Sequence, residues 1–258
     1  KSKIDNFSGL KVDAESIYAG RLDTNNTEEK AFSISNKCEI GTITLDDPIQ
    51  IKKALEKDTL DEWKEIEVNE RAKILNLIAD DLENNPYELI YFLINEAGKT
   101  IQNAIDEIRE AVDFLRYYSS RSIELFNNTE LNGPTGEDNQ MSFTPKGTFL
   151  CISPWNFPVA ILIGQISAAL SCGNRVIVKP SEYSSILGYL VVKKFHDHGV
   201  PISALSLILG DGLYGDFLTK ISPLHGVAFT GSLPTAKKIQ ANIIAVSYTH
   251  LTLPTRST

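Results

Sequence analysis

The residues of this sequence that could do chemistry lie in four short stretches of its second half. They read SPWNFP (153–158), KPSE (179–182), GDGLYG (210–215) and TGSLP (230–234). Each stretch follows a short apolar run and precedes a helical pattern. In a parallel sheet, ligands bind outside the carboxyl ends of the strands, which is where such stretches lie. The sequence therefore predicts a ligand site built from these loops.

The first loop holds an amide group in a fixed place. Pro154 and Pro158 restrict the backbone around Trp155 and Asn156. A fixed amide N–H is the donor that an oxyanion hole requires. The alternative is a turn in which the Asn156 side chain hydrogen-bonds to its own backbone.

Two further loops carry groups suited to a nucleotide. In dinucleotide folds an acidic residue after the second strand accepts hydrogen bonds from a ribose, and Glu182 lies about 25–30 residues beyond the first strand-to-helix turn. The alternative is an exposed strand end with two solvated charges, Lys179 and Glu182.

In TGSLP, Gly231 indicates a close approach of the backbone. Ser232 and Pro234 indicate a helix start whose free N–H groups form an anion site, with a plain capped helix as the alternative.

The loop GDGLYG spells G-x-G-x-x-G with Gly210, Gly212 and Gly215. It follows a strand-like run and opens a helical one, as a Rossmann phosphate loop does. Two details count against that role. The loop follows the third strand rather than the first, and no Asp or Glu occurs after Asp216 to bind a ribose.

The histidines and cysteines have structural explanations. His196 and His198 lie two apart at a helix end, where positive charge interacts favourably with the helix dipole; a metal pair is the alternative. Cys151 in a strand and Cys172 at a helix end suit packing. Together with Cys38 they form no disulfide or metal pattern, which predicts a reducing compartment, the cytoplasm.

The elements that would position the four loops belong to the α/β class. Four β-branched runs alternate with helical stretches across residues 147–243, which predicts a Rossmann-like parallel sheet with flanking helices. The runs are apolar throughout, as expected for strands covered on both faces. Upstream, residues 46–126 show helical spacing, and Thr100 is the expected N-cap of the last of these helices.

Composition excludes several classes of function. The chain has 258 residues, of which 25 are basic and 33 acidic, giving a net charge of −8. No cluster of Lys and Arg provides a face for binding nucleic acid. The longest apolar runs, such as 159–170, fall short of the ~20 residues of a membrane span. The first residues lack Met and an apolar segment, so no signal peptide is predicted.

Four motifs in this order resemble the aldehyde dehydrogenase superfamily: FLCISPWNFPVAI, GNRVIVKPSE, LILGDG and VAFTGS, spread over roughly 85 residues. Upstream, EAGKT, EIREAVDFLRYYS and NGPTGEDN resemble one branch, the glutamate semialdehyde (1-pyrroline-5-carboxylate) dehydrogenase domain of the proline utilization A type. The resemblance covers about residues 40–243. It implies oxidation of glutamate γ-semialdehyde to glutamate, in proline catabolism, with hydride transfer to NAD.

The resemblance also implies roles for the loop residues. Asn156 would donate to the oxyanion of the thiohemiacetal that forms when a cysteine thiolate attacks the aldehyde. Lys179 and Glu182 would bind the hydroxyl groups of the adenosine ribose. The carboxylate would favour NAD over NADP, because it repels a 2′-phosphate. Gly212 and Gly215 would border the adenine pocket.

The pyrophosphate is assigned by the same resemblance to Trp155 and Ser232, with Gly231 allowing its close approach. The full set assigned to the cofactor is Ser153, Trp155, Lys179, Glu182, Gly212, Gly215, Gly231 and Ser232. The substrate would be a small aldehyde. The parent enzyme is expected to be a homo-oligomer, open to fusion with a proline dehydrogenase domain.

The sequence departs from the family pattern in its last part. The general-base Glu and the nucleophilic Cys of the family follow the FTGS helix, and neither motif is present. Residues 245–258, AVSYTHLTLPTRST, fit no part of the pattern and are interpreted as a non-native tail, with a genuine divergent tail as the alternative.

The expectation is therefore a fragment that is inactive by itself. Residues 1–36 would have little regular structure, and residues 37–244 would form the NAD-binding domain. Another aldehyde dehydrogenase branch, or a non-catalytic nucleotide-binding module, are the alternatives.

Overall fold

The structure is a computed structural model that describes residues 2–22, 26–57, 62–127, 129–222, 224–245 and 251–252. Its helices are α1 (Ser2–Asp5), α2 (Pro48–Lys57), α3 (Val68–Asn84), α4 (Tyr87–Asn95), α5 (Ile101–Phe126), α6 (Ala160–Ser171), α7 (Ser185–Asp197), α8 (Gly212–Leu218) and α9 (Leu233–Ala245). Its strands are β1 (Val12–Glu15), β2 (Thr27–Phe32), β3 (Glu39–Leu45), β4 (Thr129–Leu131), β5 (Asn139–Met141), β6 (Thr148–Ile152), β7 (Arg175–Lys179), β8 (Leu205–Leu207), β9 (Gly226–Phe229) and β10 (Leu251–Thr252).

The main sheet has five parallel strands in the order β10–β9–β6–β7–β8. The chain enters at β6, continues outward through β7 and β8, and then returns to place β9 on the other side of β6. The strand order therefore reverses between β6 and β9, which opens a crevice at the carboxyl ends of these strands. The parallel sheet with flanking helices confirms the predicted α/β class.

Successive side chains along the strands enter two separate cores, because a strand presents alternate residues to opposite faces. Cys151 and Val178 pack in the core formed with helices α3 to α7. Leu150 and Ile177 pack in the core formed with α2, α8 and α9. Every residue of β7 and β8 is buried. Coverage of both faces explains why these strands are apolar throughout.

Three of the helices predicted between residues 46 and 126, namely α3, α4 and α5, form one layer against the sheet, whereas α2 packs on the opposite face. α5 begins after Thr100, whose Oγ1 accepts a hydrogen bond from Asn103 N at 3.2 Å, so the predicted N-cap is confirmed. α5 lies between α3 and α6 and contacts both. The indole N–H of the fully buried Trp63 donates to Leu170 O at 2.8 Å, which joins the segment before α3 to the end of α6.

The prediction of little regular structure in residues 1–36 is wrong. β1 and β2 flank β3 in a three-stranded sheet. After β1, the chain runs along the edge of the main sheet, where Ile17 N donates to Leu207 O at 2.8 Å and Leu207 N donates to Ile17 O at 2.6 Å. β2 is exposed along most of its length, so it lacks the apolar alternation from which strands are predicted.

The predicted tail, residues 245–258, lies mostly outside the described residues. Within it, Leu251 and Thr252 pair with Val227 and Ala228 of β9. The division of the chain into a leader, a nucleotide-binding domain and a tail remains a prediction.

A buried ion pair attaches the first segment of the chain to the turn before α2. Arg21 Nε lies 2.8 Å from Asp46 Oδ2, and a second guanidinium nitrogen lies 3.1 Å from Asp46 Oδ1. The Asp46 side chain is fully buried. The same guanidinium lies 2.5 Å from Glu15 Oε2, but the Glu15 side chain is 48% exposed. The Tyr214 hydroxyl on α8 donates to Asp46 O at 2.8 Å, so α8 joins this anchor.

The two carboxylates that share Arg21 are expected to differ in their contribution to stability. Asp46→Asn should lower the free energy of unfolding by about 3 kcal/mol, because it leaves the guanidinium without its buried counter-charge. Glu15→Gln should lower it by less than about 1 kcal/mol, because that carboxylate is solvated. Urea denaturation of both variants measures the difference, and equal losses would contradict this account.

Candidate functional site

A cavity of about 340 Å³ opens at the carboxyl edge of the main sheet, between the ends of β6, β7 and β9 and the helices α8 and α9. Its wall contains every residue that the sequence analysis assigned to the cofactor. These are Ser153, Trp155, Lys179, Glu182, Gly212, Gly215, Gly231 and Ser232. Asn156 is exposed and is not part of this wall, although it follows Trp155 in the chain. The structure thus brings together residues of all four loops.

The wall also contains residues that sequence reasoning missed. Thr235, Lys238, Ile239 and Asn242 lie at positions i, i+3, i+4 and i+7 of α9, and Asp216 lies on α8. The helical spacing of the α9 residues, counted from the N-cap of that helix, places them on one face. That spacing is the signal that could have found them.

The turn after β6 places a serine hydroxyl in the cavity wall. Ser153 N donates to Lys179 O at 3.4 Å, which ties the turn to β7. Ser153 is nearly fully buried, and its Oγ has no hydrogen-bond partner among the described residues. Buried polar atoms are normally paired, so this hydroxyl suits a polar ligand. The Trp155 side chain beside it is 59% exposed.

Lys179 ends β7 as a buried cation. Its ammonium donates to Pro180 O at 2.9 Å. Burial lowers the pKa of Lys179, whereas the charges of Glu182 and Asp211 act in the opposite direction. An ammonium has three donors, so Lys179 can donate to a ligand while it keeps this bond. Glu182 provides an acceptor on the same wall.

Two of the four helices that start at this edge have their first N–H groups paired with buried glutamates. Glu107 Oε1 on α5 accepts hydrogen bonds from the backbone N–H groups of 159–160, at 2.8 and 3.2 Å, where α6 starts. Its other oxygen lies 2.5 Å from Lys99 Nζ. The two oxygens of Glu96 accept hydrogen bonds from the N–H groups of 186–187, each at 2.9 Å, where α7 starts.

The starts of α8 and α9 differ in charge. Asp211 Oδ1 accepts a hydrogen bond from Leu213 N at 2.8 Å and caps α8. At α9 the cap is a neutral hydroxyl: Ser232 Oγ accepts from Thr235 N at 3.4 Å. Within the described part of the chain, no carboxylate accepts a hydrogen bond from the first N–H groups of α9. A helix N-terminus attracts anions, so α9 offers the open anion site at this edge.

The glycines in and beside the cavity wall differ in the space that a side chain would find at each position. A Cβ at Gly231 would lie 2.6 Å from the Phe229 ring, and one at Gly210, where φ is +150°, would lie 2.3 Å from the Tyr214 ring. A Cβ at Gly212 would meet nothing within 4 Å. The G-x-G-x-x-G loop therefore contributes an open wall, whereas the start of its helix already carries the Asp211 carboxylate.

The histidines and cysteines take no part in this cavity. His196 and His198 each hydrogen-bond to a backbone carbonyl through Nδ1 at 2.8 Å. Burial raises the pKa of the Cys151 thiol to about 12 and also raises that of Cys172. The described residues contain no group of three metal-ligating side chains, and none of their helices is long and apolar enough to cross a membrane.

A parallel sheet whose strand order reverses beside such a cavity defines a Rossmann-like α/β fold. The sequence profile of the Aldehyde dehydrogenase family matches residues 23–255. The chain therefore belongs to the aldehyde dehydrogenase family, which confirms the resemblance found in its motifs.

Curated relatives agree on the branch. The bifunctional protein PutA of Salmonella typhimurium is 41% identical over 182 residues, which are 70% of this chain and 13% of that protein. The 1-pyrroline-5-carboxylate dehydrogenase of Oceanobacillus iheyensis is 32% identical over 250 residues, which are 94% of this chain and 47% of that protein. The chain thus spans less than half the length of either relative.

Solved structures share the fold. Proline utilization A from Bdellovibrio bacteriovorus is 25% identical with a TM-score of 0.88, over 98% of this chain and 27% of that one. Another proline utilization A structure is 38% identical with a TM-score of 0.77, over 81% of this chain and 22% of that one.

The carboxyl group that caps α7 is expected to make stability depend on pH. Glu96 is fully buried, and burial raises its pKa to about 7 from an ordinary 4.5. The folded state therefore holds a proton that the unfolded state releases between these values, so the free energy of unfolding should fall as pH rises from about 4.5 to 7, by about 3 kcal/mol. Urea denaturation at several pH values measures this fall.

The control for Glu96 is a second glutamate on the same helix. Glu96→Gln cannot titrate and should lose the pH-dependent fall, while Glu88→Gln should keep it. A Glu96→Gln variant with the same pH dependence as the parent chain would refute this assignment.

Proposed function

We propose that this chain forms the NAD-binding part of an enzyme that oxidises glutamate γ-semialdehyde to glutamate. One observation carries the proposal: the residues of four separate loops converge on a single cavity at the point where the strand order reverses. NAD, when bound, supplies the acceptor for the hydride that leaves the aldehyde carbon. The residues of the chain bind and orient it.

The pyrophosphate is proposed to lie at the start of α9. Among the four helix starts at this edge, the N–H groups there are the ones that no carboxyl group of the described residues pairs, and the Ser232 hydroxyl is close to them. The buried Ser153 Oγ offers a further donor on the same wall. Gly231 precedes this start, and a side chain at this position would collide with the Phe229 ring.

The adenosine ribose is proposed to lie between Lys179 and Glu182. An ammonium and a carboxylate on one wall can donate to and accept from vicinal hydroxyl groups. The carboxylate of Glu182 would repel a 2′-phosphate and so favour NAD over NADP. The base would then extend along Gly212 and Gly215, which leave that wall open.

The substrate is proposed from the relatives and from one amide. Two kinds of relative carry the names 1-pyrroline-5-carboxylate dehydrogenase and bifunctional protein PutA, and the latter suggests a second activity in the parent protein. Asn156 is exposed on the turn after β6, between two prolines, and is proposed to donate to the oxyanion that forms from the aldehyde. A homo-oligomeric parent in the cytoplasm remains part of this proposal.

Cofactor binding is the central test, and Gly212 provides the variants. Gly212→Leu should weaken NAD binding at least tenfold, because a side chain would occupy open space in the cavity. Gly212→Ala should retain binding. Calorimetric titration with NAD measures the affinity, and fluorescence quenching of Trp155 gives an independent reading because Trp63 is fully buried. A parent chain that does not bind NAD, or a Gly212→Leu variant that binds it normally, would refute the proposed site.

The 258-residue chain by itself is expected to bind NAD without oxidising aldehydes. Covalent aldehyde oxidation needs a thiolate beside the cofactor, and no cysteine lies in the described cavity wall. Cys151 is fully buried, and its raised pKa keeps the thiol protonated. Incubation with glutamate γ-semialdehyde and NAD should form no NADH, whereas a 1-pyrroline-5-carboxylate dehydrogenase assayed in parallel should form it. NADH formation that alkylation of thiols abolishes would contradict this expectation.

A further inference from the structure

Polar side chains of α8 and α9 meet at the end of the cavity that lies between these two helices. Asp216 Oδ1 on α8 lies 3.0 Å from Lys238 Nζ and accepts a hydrogen bond from Asn242 Nδ2 at 3.0 Å. The other carboxylate oxygen lies 2.6 Å from Lys220 Nζ. Asp216, Lys238 and Asn242 belong to the cavity wall, and Lys220 does not.

This cluster is charged and held in place. Hydrogen bonds from Lys220, Asn242 and Lys238 hold the pKa of Asp216 well below its usual range, so the group is a carboxylate at neutral pH. Asn242 also donates to Thr219 Oγ1 at 2.8 Å, which fixes the orientation of its amide. Both amide hydrogens of Asn242 are thereby used, so the end of the cavity presents an acceptor, Asp216, beside one donor, Lys238.

The walls that lead to this cluster suit a flat ring. On the α8 side, a Cβ at Gly212 would meet nothing, and one at Gly215 would meet only the Lys179 stem at 3.5 Å. On the α9 side lies the buried apolar side chain of Ile239. An aromatic base can pack between a bare backbone surface and an aliphatic side chain.

We propose that Asp216, assisted by Lys238, hydrogen-bonds to the amino edge of the cofactor's base and selects adenine over hypoxanthine. This inference rests on the proposed NAD site. Adenine carries an amino group at position 6, which donates to a carboxylate, next to a ring nitrogen that accepts from an ammonium such as that of Lys238. Hypoxanthine carries a carbonyl oxygen at position 6, which would face the Asp216 carboxylate as one acceptor facing another.

The test compares NAD with nicotinamide hypoxanthine dinucleotide in calorimetric titrations of the full chain. The hypoxanthine analogue should bind about tenfold or more weakly, because it loses a hydrogen bond to a charged group and places its carbonyl oxygen against that carboxylate. Asp216→Asn should reduce the difference to less than about threefold, because the amide can donate as well as accept. Lys220→Gln is the matched control: it removes an ion pair from the same carboxylate outside the cavity and should keep the parent ratio.

The outcomes separate this inference from the proposed function. If NAD itself does not bind, the proposed function fails and this inference fails with it. If NAD binds and the hypoxanthine analogue binds equally well to the parent chain, only this inference is overturned. That comparison needs no variant, so it holds even if Asp216→Asn does not fold. A ratio that Lys220→Gln reduces as much as Asp216→Asn would also overturn it, because the effect would then be one of charge alone.

Discussion

Every helix that follows a strand of this parallel sheet starts at the same edge, and every helix start carries N–H groups without an intrahelical partner. Buried glutamates meet this requirement twice, Glu107 at α6 and Glu96 at α7. Both come from the helical layer, on α5 and at the end of α4. The contacts that pair these N–H groups therefore also attach the layer to the sheet. Because a buried carboxyl group is costly without hydrogen bonds, the layer has little freedom to shift.

The same constraint decides where an anion can bind. Three of the helix starts at this edge already carry a carboxyl group, from Glu107, Glu96 or Asp211. Among the four starts at this edge, as far as the described residues show, only that of α9 is capped by a hydroxyl alone, that of Ser232. Strand order and capping thus favour the same place: the crevice between β6 and β9 lies beside the one start without a carboxyl cap. The sheet and the helix dipoles are similar at all four starts. The carboxyl groups at α6, α7 and α8 are what distinguish those starts from that of α9.

The cavity also depends on residues distant from it in the sequence. Asp46 is held by Arg21 and accepts a hydrogen bond from Tyr214 through its carbonyl oxygen. The Tyr214 ring packs on the surface that Gly210 leaves bare. The first segment of the chain, which also pairs with the sheet edge at Ile17, therefore supports the wall formed by α8. A polar segment that looks like a leader is part of the framework of the site.

Local patterns were sufficient to predict the class of fold, the four loops and the eight cofactor residues of the cavity wall. These patterns are apolar strands, helical spacing, and the glycine, proline and N-cap residues that end them. The sequence did not reveal β1 and β2, because the alternation of β1 spans only four residues and β2 is exposed along most of its length. It provided two arguments against a phosphate-binding role for G-x-G-x-x-G. The capping of the helix starts became visible only in the tertiary structure, where Asp211 occupies the start of α8 while Glu107 and Glu96, more than fifty residues from the helices they cap, close two others. Contacts across that distance follow from packing, and no local pattern encodes them.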